Sequence, residues 1–312
     1  MATGTQAPFK IEGKRAWISG AGSGINYCLA KQLLERNCSV LIADLSLRPE
    51  AQDLVDKYSS RSGPRAVFHK TDVADWTQLQ ASFEAAKKEF GGLDIVGPGA
   101  GVFEEPWSNF WIPPGSKGTR DTIESSRYKT LDINITHPVR VTQMAISEFL
   151  NPQDPADKVS PANPKRVILT SSIAGQAFGI PYPLYFTSKH AISGFARSMG
   201  GLEAPLGIRV NCVAPGIVRT PLWLDHAEKL KIIDEETDTW VTPEEVAEQM
   251  IRLLEDPELP GGTILEVAHQ KSRIVPPFMN PGPSGVGLST SRADQAEAET
   301  LQQVTAPGWG KV

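Results

Sequence analysis

Tyr185 and Lys189 stand four residues apart, a spacing that puts a phenol and an ammonium on one face of a helix. A nearby positive charge favours the phenolate, so the pair draws the phenol from its reference pKa of about 10 toward the working range of a general acid/base. Spacing alone decides nothing, because Tyr27 stands in the same relation to Lys31. Tyr27 falls on the first predicted helix, where packing or solvent exposure is its expected fate. Tyr185 instead follows a serine-rich strand end, Thr170-Ser171-Ser172-Ile173-Ala174-Gly175. Ser172 thereby lies at the carboxyl end of a strand, the edge where ligands bind in open α/β sheets. Its hydroxyl can hold a substrate oxygen while Tyr185 exchanges a proton with it. The implied chemistry is interconversion of a hydroxyl and a carbonyl.

A second cluster suits a nucleotide. Ser19-Gly20-Ala21-Gly22-Ser23-Gly24-Ile25-Asn26 follows the first apolar run and opens the first helix. Glycines permit a tight turn and close backbone approach to a pyrophosphate, and the helix N-terminus adds amide donors and a favourable dipole. Asp44 ends the second strand 24 residues after Gly20, close to the ~20 expected of a carboxylate that accepts hydrogen bonds from the adenosine ribose. A carboxylate there repels a 2′-phosphate, and neither Ser23 nor Leu45 offers a cation to hold one. NAD(H) is therefore expected rather than NADP(H); a plain helix-capping role for Asp44 is the competing reading.

These residues need elements to hold them. Apolar runs at 15–19, 39–43, 66–69, 93–97, 166–171, 208–214 and 263–267 alternate with helix-period stretches such as 25–36, 75–90 and 125–150. That rhythm predicts βαβ units and a doubly wound α/β sheet of about seven parallel strands with helices on both faces, in a single domain over 1–278. Thr242-Pro243-Glu244-Glu245 reads as a capped start to the late helix. Within 125–150, Pro138 cannot donate to the Asn134 carbonyl, which predicts either a kink or a carbonyl left free to hold water. Two irregular stretches, 103–121 with its Trp and Pro residues and 151–165 with four prolines, interrupt the pattern. Trp107, Phe110 and Trp111 in the first could wall a substrate pocket or pack the loop. Residues 279–312 are rich in Pro, Gly, Ser, Ala and Gln, and a poorly ordered tail is expected there.

The order of these motifs resembles the short-chain dehydrogenase/reductase superfamily over about 10–275. The glycine turn, Asp72-Val73, Gly99-Ala100-Gly101, Asn134, Ser172, Tyr185, Lys189 and Pro215-Gly216 all fall in the family's sequence. The resemblance implies a Rossmann-type fold in which Asp72 and Val73 approach adenine. It places the stretch from Pro215 through Val218 to Thr220 beside the nicotinamide. Lys189 would also bind the nicotinamide ribose, and Asn134 would support a water in a proton relay with Lys189. It implies a homodimer or homotetramer, and a mobile substrate lid over 222–234 whose competing reading is a plain surface helix. Two departures stand out: Asn26 replaces the third glycine of the turn, and Pro98-Gly99 replaces a pair of asparagines. The long loop after Val102 is similar to fungal members likened to NAD-dependent hydroxyprostaglandin dehydrogenases.

Composition narrows the partners. With 312 residues, 21% charged and 40% hydrophobic, and a formal net charge of -5, the chain reads as an ordinary globular protein with no basic field for nucleic acid or anionic lipid. Cys28, Cys38 and Cys212 are unpaired in sequence and lack zinc spacing, so they read as buried thiols in a reducing compartment, and no metal is expected. No run of about 18 apolar residues is present to span a membrane, and Met1 to Lys14 lacks a secretory h-region, so the cytosol is expected. The function expected is an NAD-dependent secondary-alcohol dehydrogenase or ketone reductase acting on a small to medium apolar substrate of secondary metabolism. A non-redox cyclase or isomerase, and a nucleotide-binding regulatory protein, are the alternatives on the same fold.

Overall fold

Trp17 and Ile18 point to opposite faces of the first strand, β1 (Arg15–Ser19), and each belongs to one half of the core. The computed structural model describes residues 7–60, 62–231, 233–234, 236–277 and 293–310. The further strands are β2 (Ser39–Asp44), β3 (Ala66–Lys70), β4 (Ile95–Pro98), β5 (Lys165–Thr170), β6 (Ile208–Pro215), β7 (Ile264–Ala268) and β8 (Lys271–Ile274). They form one sheet in the order β3-β2-β1-β4-β5-β6-β7-β8. Seven strands run parallel, as expected. The eighth has no counterpart among the apolar runs: it turns back antiparallel on β7 through Gln270, which adopts a left-handed φ of 55°.

Seven helices longer than eight residues flank the sheet among the described residues: α1 (Gly24–Glu35), α2 (Pro49–Lys57), α3 (Trp76–Phe90), α4 (His137–Leu150), α5 (Pro183–Ser198), α6 (Pro243–Glu255) and α7 (Ala293–Thr305). Leu29 and Leu33 of α1 and Val246 and Met250 of α6 cover one face, with Ile18 and Ile42. Leu79 and Phe83 of α3, Val141 and Phe149 of α4 and Ile192 of α5 cover the other, with Trp17 and Leu41. Burial of such side chains contributes roughly 1.5–3 kcal/mol each. α6 starts at the capping box read from sequence, Thr242 with Glu245.

The sheet order reverses direction between β1 and β4. At that switch point the turns after the two strands diverge and leave a crevice at the strands' carboxyl ends. The glycine turn after β1 and the Gly99-Ala100-Gly101 turn after β4 flank it.

Two expectations need correction. The helix predicted over 125–150 begins only at Lys129, because Thr122 and Ser125 satisfy each other's backbone in a turn and Ser126 takes a φ of 53°. It then widens into a π-helix over Asp132–Thr136, where the His137 N–H donates to the Asp132 carbonyl five residues back. The irregularity expected at Pro138 lies just before it, as this wider turn. The proline offers no donor to Asn134, and the chain takes up the mismatch as a wider turn. The second correction concerns the tail. Residues 278–292, 311 and 312 lie outside the described residues, but α7 is regular, and Trp309 beyond it packs against the α3–α4–α5 side of the core.

Candidate active site

A cavity of about 330 Å³ opens along the crevice. Most of the predicted site residues line it: Gly20, Ser23, Gly24, Ile25, Asp44, Asp72, Val73, Gly99, Ala100, Gly101, Ser172, Tyr185, Lys189, Pro215, Gly216, Val218 and Thr220. Three stand behind the wall instead. The Gly22 N–H donates to Asp44 Oδ2 at 2.8 Å, which fixes the carboxylate at the cavity edge. Ser19 Oγ accepts the Ala100 N–H at 3.2 Å and so joins the two turns. Asn134 is the third.

Asn134 clamps the turn after β4. Its Oδ1 accepts the Val102 N–H at 2.9 Å, while its Nδ2 donates to the Val102 carbonyl at 2.8 Å and to Ser188 Oγ at 3.2 Å. The side-chain amide is thus spent on Val102 and Ser188. Gly101 lies between it and Lys189: a Cβ there would stand 3.4 Å from Asn134 Oδ1 and 3.8 Å from Lys189 Nζ. The glycine keeps that space open.

The catalytic trio is assembled by β5 and α5. Ser172, at the end of the β5 run, accepts the Ala174 N–H at 3.2 Å and caps a short 3₁₀ turn over Ile173–Gly175. That turn lies flat on α5 because position 175 is glycine. A Cβ there would fall 2.6 Å from Ser193 Oγ and 2.8 Å from the Lys189 carbonyl. Ser172 and Tyr185 line the same cavity, and the Ser172 hydroxyl acts on the proton affinity of the phenol. Lys189 Nζ donates to the Thr170 carbonyl at 3.1 Å and stands 5.4 Å from the Tyr185 ring centre. Tyr27, by contrast, packs against the core from α1 itself and is not among the cavity-lining residues.

Charge in this trio is governed by burial. Burial pushes the Tyr185 phenol up, with the Ser172 hydroxyl opposing it, and holds the Lys189 ammonium down at about 8. The lowered phenol pKa expected from the Tyr-Lys spacing is therefore not a property of the protein by itself, because desolvation is the larger effect. Burial likewise raises the Asp44 carboxyl, against the N–H donors of Gly22, Leu45 and Ser46.

The first departure from the family pattern has a structural answer in the second. Asn26 Nδ2 donates to the Gly99 carbonyl at 2.8 Å, and a Cβ at position 99 would fall 2.2 Å from the Asn26 side chain. A side chain on α1 fills space that a glycine at 99 vacates, so the contact between helix and turn is kept by exchange. That orientation leaves Asn26 Oδ1 buried without a protein donor.

Sequence reasoning missed several neighbours. His137 is fully buried beneath the two turns: Ser19 Oγ–H donates to its Nε2 at 3.1 Å, and its Nδ1–H donates to the Ile133 carbonyl at 3.1 Å. The carbonyl can only accept, which assigns the ring proton to Nδ1. Phe103 stacks on Tyr182, Tyr185 and Trp223, with ring centres 4.4, 4.6 and 5.3 Å apart. Leu222 and Trp223 line the cavity, whereas Trp107, Phe110 and Trp111 do not. Trp111 instead donates to the Ile180 carbonyl, and Trp107 stacks under Arg120. The 222–234 stretch begins inside the short helix Pro221–Leu224 and contains the helix Ala227–Leu230; Lys229 pairs with buried Glu105, and Asp225 pairs with Arg48. The only sequence sign of these contacts was two adjacent glutamates, Glu104 and Glu105, in an otherwise Trp- and Pro-rich loop.

Among the described residues no group of three His, Cys, Asp or Glu could hold a metal, and no helix is long and apolar enough to cross a membrane. The three cysteines are free and buried.

Comparison with known proteins shows the family. The family model for short chain dehydrogenases matches residues 14–231. A hydroxynaphthalene reductase-like protein of Metarhizium robertsii is 31% identical over 226 residues, 72% of this chain and 75% of the relative. The oxidoreductase UcpA of Salmonella typhimurium is 32% identical over 214 residues, 68% and 72% of the two chains. In fold, a short chain dehydrogenase from Burkholderia cenocepacia, solved in complex with NADP, superposes with a TM-score of 0.64 at 24% identity, over 83% of this chain and 98% of that one. A 3-ketoacyl-(acyl-carrier-protein) reductase from Brucella melitensis, complexed with NADH, matches with the same score, identity and coverage.

Proposed function

We propose a reaction from one premise: the chain belongs to the short-chain dehydrogenase family, and its site serves NAD(H) and a secondary alcohol or ketone. The observation that carries this reading is that Ser172, Tyr185 and Lys189 line the same cavity as the Asp44 carboxylate.

The cavity suits a dinucleotide on this chain's own atoms. The first turn of α1 faces it through Gly24 and Ile25, whose N–H groups have no partner within the helix. Gly20 and Gly22 could not carry a Cβ, which would meet Ala100 Cα at 2.6 Å and the Ser46 carbonyl at 2.2 Å. The free Oδ1 of Asn26 is a buried acceptor in the cavity wall. Ser23, Gly24 and Ile25 would hold the pyrophosphate, Asp44 the adenosine ribose, and Asp72 and Val73 the adenine. Pro215, Gly216, Val218 and Thr220 would hold the nicotinamide end. When bound, that cofactor supplies or accepts the hydride.

The protein's own groups do the rest. Ser172 holds the substrate oxygen, Tyr185 gives or takes its proton, and the Lys189 ammonium stabilises the phenolate when it forms. Val102, Leu222 and Trp223 make the substrate end apolar, which favours a small to medium apolar substrate. Arg48, beyond Asp44, is engaged by Asp225 rather than presented to a 2′-phosphate, and this too favours NAD(H). The buried free thiols fit the cytosol, and the family's habit fits a homodimer or homotetramer.

The test is nicotinamide absorbance on a panel of secondary alcohols and ketones with NAD and NADP in parallel. Turnover is expected with NAD(H), with Asp44→Ala narrowing the preference. Equal or tighter use of NADP(H) by the unaltered protein would refute the cofactor assignment.

A further inference from the structure

Phe103, Glu104 and Glu105 follow one another in the loop after β4 and are all buried, at 6%, 3% and 5% exposure. Buried carboxylates are costly unless paired or hydrogen-bonded, so what each one meets is informative. Glu105 meets Lys229. Glu104 meets backbone: its Oε1 accepts the Phe110 N–H at 2.9 Å and its Oε2 accepts the Tyr185 N–H at 3.1 Å.

Tyr185 is the third residue of α5, so its N–H is one of those a helix cannot satisfy from within. No neighbour supplies a cap: Tyr182 precedes the helix without a capping side-chain bond, and Pro183 has no N–H. A carboxylate at a helix N-terminus is also favoured by the dipole. Glu104 is therefore a cap delivered from a distant loop, 81 residues away in sequence. The residue it caps carries the phenol. The adjacent Phe103 ring lies 4.6 Å from the Tyr185 ring, so consecutive loop residues hold the backbone and the side chain of the same tyrosine.

We propose that Glu104 is a positioning residue for Tyr185: by accepting the Tyr185 N–H it fixes the first turn of α5 and sets the phenol against the Ser172 hydroxyl. The same carboxylate, through Phe110, makes the 103–121 loop part of the reaction geometry. This rests on the reading of Tyr185 as the proton-exchanging residue.

Two substitutions separate geometry from charge. Glu104→Gln keeps the length, and its amide oxygen can still accept the Tyr185 N–H, while its amide nitrogen, a donor, gives up the bond from the Phe110 N–H. Glu104→Asp keeps the charge but is one methylene too short to reach both Phe110 and Tyr185. On a substrate that the unaltered protein turns over, Glu104→Asp is expected to lose about tenfold or more in kcat, as a small misplacement of a reacting group does. Its substrate KM and NAD dissociation constant should stay nearly unchanged. Glu104→Gln should keep kcat within about threefold, the scale of one hydrogen bond. Hydrogen exchange at the Tyr185 amide should quicken in Glu104→Asp and not in Glu104→Gln. The reverse order of the two variants, or full kcat in Glu104→Asp, overturns the proposal. Should the unaltered protein turn over no alcohol or ketone, the redox reading fails, and amide exchange then judges the cap alone: unchanged exchange in Glu104→Asp overturns it.

Discussion

Burial moves Tyr185 and Lys189 in opposite directions, and in both cases toward the neutral form. With the ammonium drawn down to about 8 and the phenol raised, the two proton affinities separate, and the lysine becomes the readier of the pair to lose its proton. A protonated phenol against the Ser172 hydroxyl is ready to donate to a carbonyl, and the nearby ammonium lowers the cost of the phenolate left behind. Tyr185→Phe keeps the ring on Phe103 and removes only the hydroxyl. It is expected to cut turnover by roughly 100- to 10,000-fold, with NAD affinity largely kept. Tyr27→Phe, in the packing of α1 on the core, should change turnover little; stopped-flow and steady-state rates on both variants check this. The Tyr-x-x-x-Lys pair could be read because helical periodicity is local. The environment that sets its proton affinities could not, because desolvation is contributed by residues distant in sequence.

At the scale of elements, the site depends on where β1, β4 and α4 meet. Ser19 closes β1, Ala100 sits in the turn after β4, and His137 begins α4 immediately after the π-helix; two hydrogen bonds through Ser19 tie all three together. The strands, their order of appearance and the glycine turn were legible because apolar runs and turn glycines are local signals. His137 was not, since nothing in its neighbourhood announces a ring wedged under two turns. Pro138 did signal an irregularity at the right place, but a missing donor can be absorbed by a kink, a water or a wider turn, and the local sequence does not choose among them. Burial holds His137 neutral with a pKa of about 4, against an ordinary 6.5, and the Ile133 carbonyl pulls weakly the other way. A folded pKa below the unfolded one means that the unfolded chain takes up the proton first. The stability His137 contributes is complete above about pH 6.5 and is lost as pH falls toward 4. By pH 5 the loss amounts to about 2 kcal/mol, at 1.36 kcal/mol per pKa unit. His137→Gln cannot titrate, so the stability difference between it and the unaltered protein, measured by urea unfolding, should shift by about that amount between pH 7 and pH 5. A difference independent of pH would show that the ring is protonated without penalty.

At the scale of the whole molecule, chemistry and stability occupy opposite edges of the sheet. The carboxyl ends of the strands carry the cavity. The amino ends of β1 and β5 carry a buried ion cluster in which Arg15 and Lys165 both meet Asp94. A third region lies apart from both, where the chain's last described segment returns to the core. The composition of 279–312 suggested a tail with nothing to bury, and averaging over the segment hid one residue that does bury: Trp309 packs on the cluster containing Phe149 and Leu150, and its carbonyl accepts from Asn151 Nδ2 at 2.9 Å. Gly310 then crosses Ser147 with a φ of 78°, at a point where a Cβ would fall 2.3 Å from the serine hydroxyl. These contacts are with the end of α4, the end away from His137, and none is with a cavity-lining residue. Deleting residues 293–312 should therefore destabilise the fold without weakening the cofactor site. Exposing a partly buried tryptophan costs about 1–2 kcal/mol, which for a domain of this size lowers Tm by roughly 2–8 °C. Differential scanning fluorimetry with and without NAD reads both halves of the expectation. The NAD-induced rise in Tm should be the same in the truncated and full chains, because ligand stabilisation depends only on free ligand and its dissociation constant. A smaller rise after truncation would mean that the returning segment reaches the site through α4, and the separation of the two regions would fail.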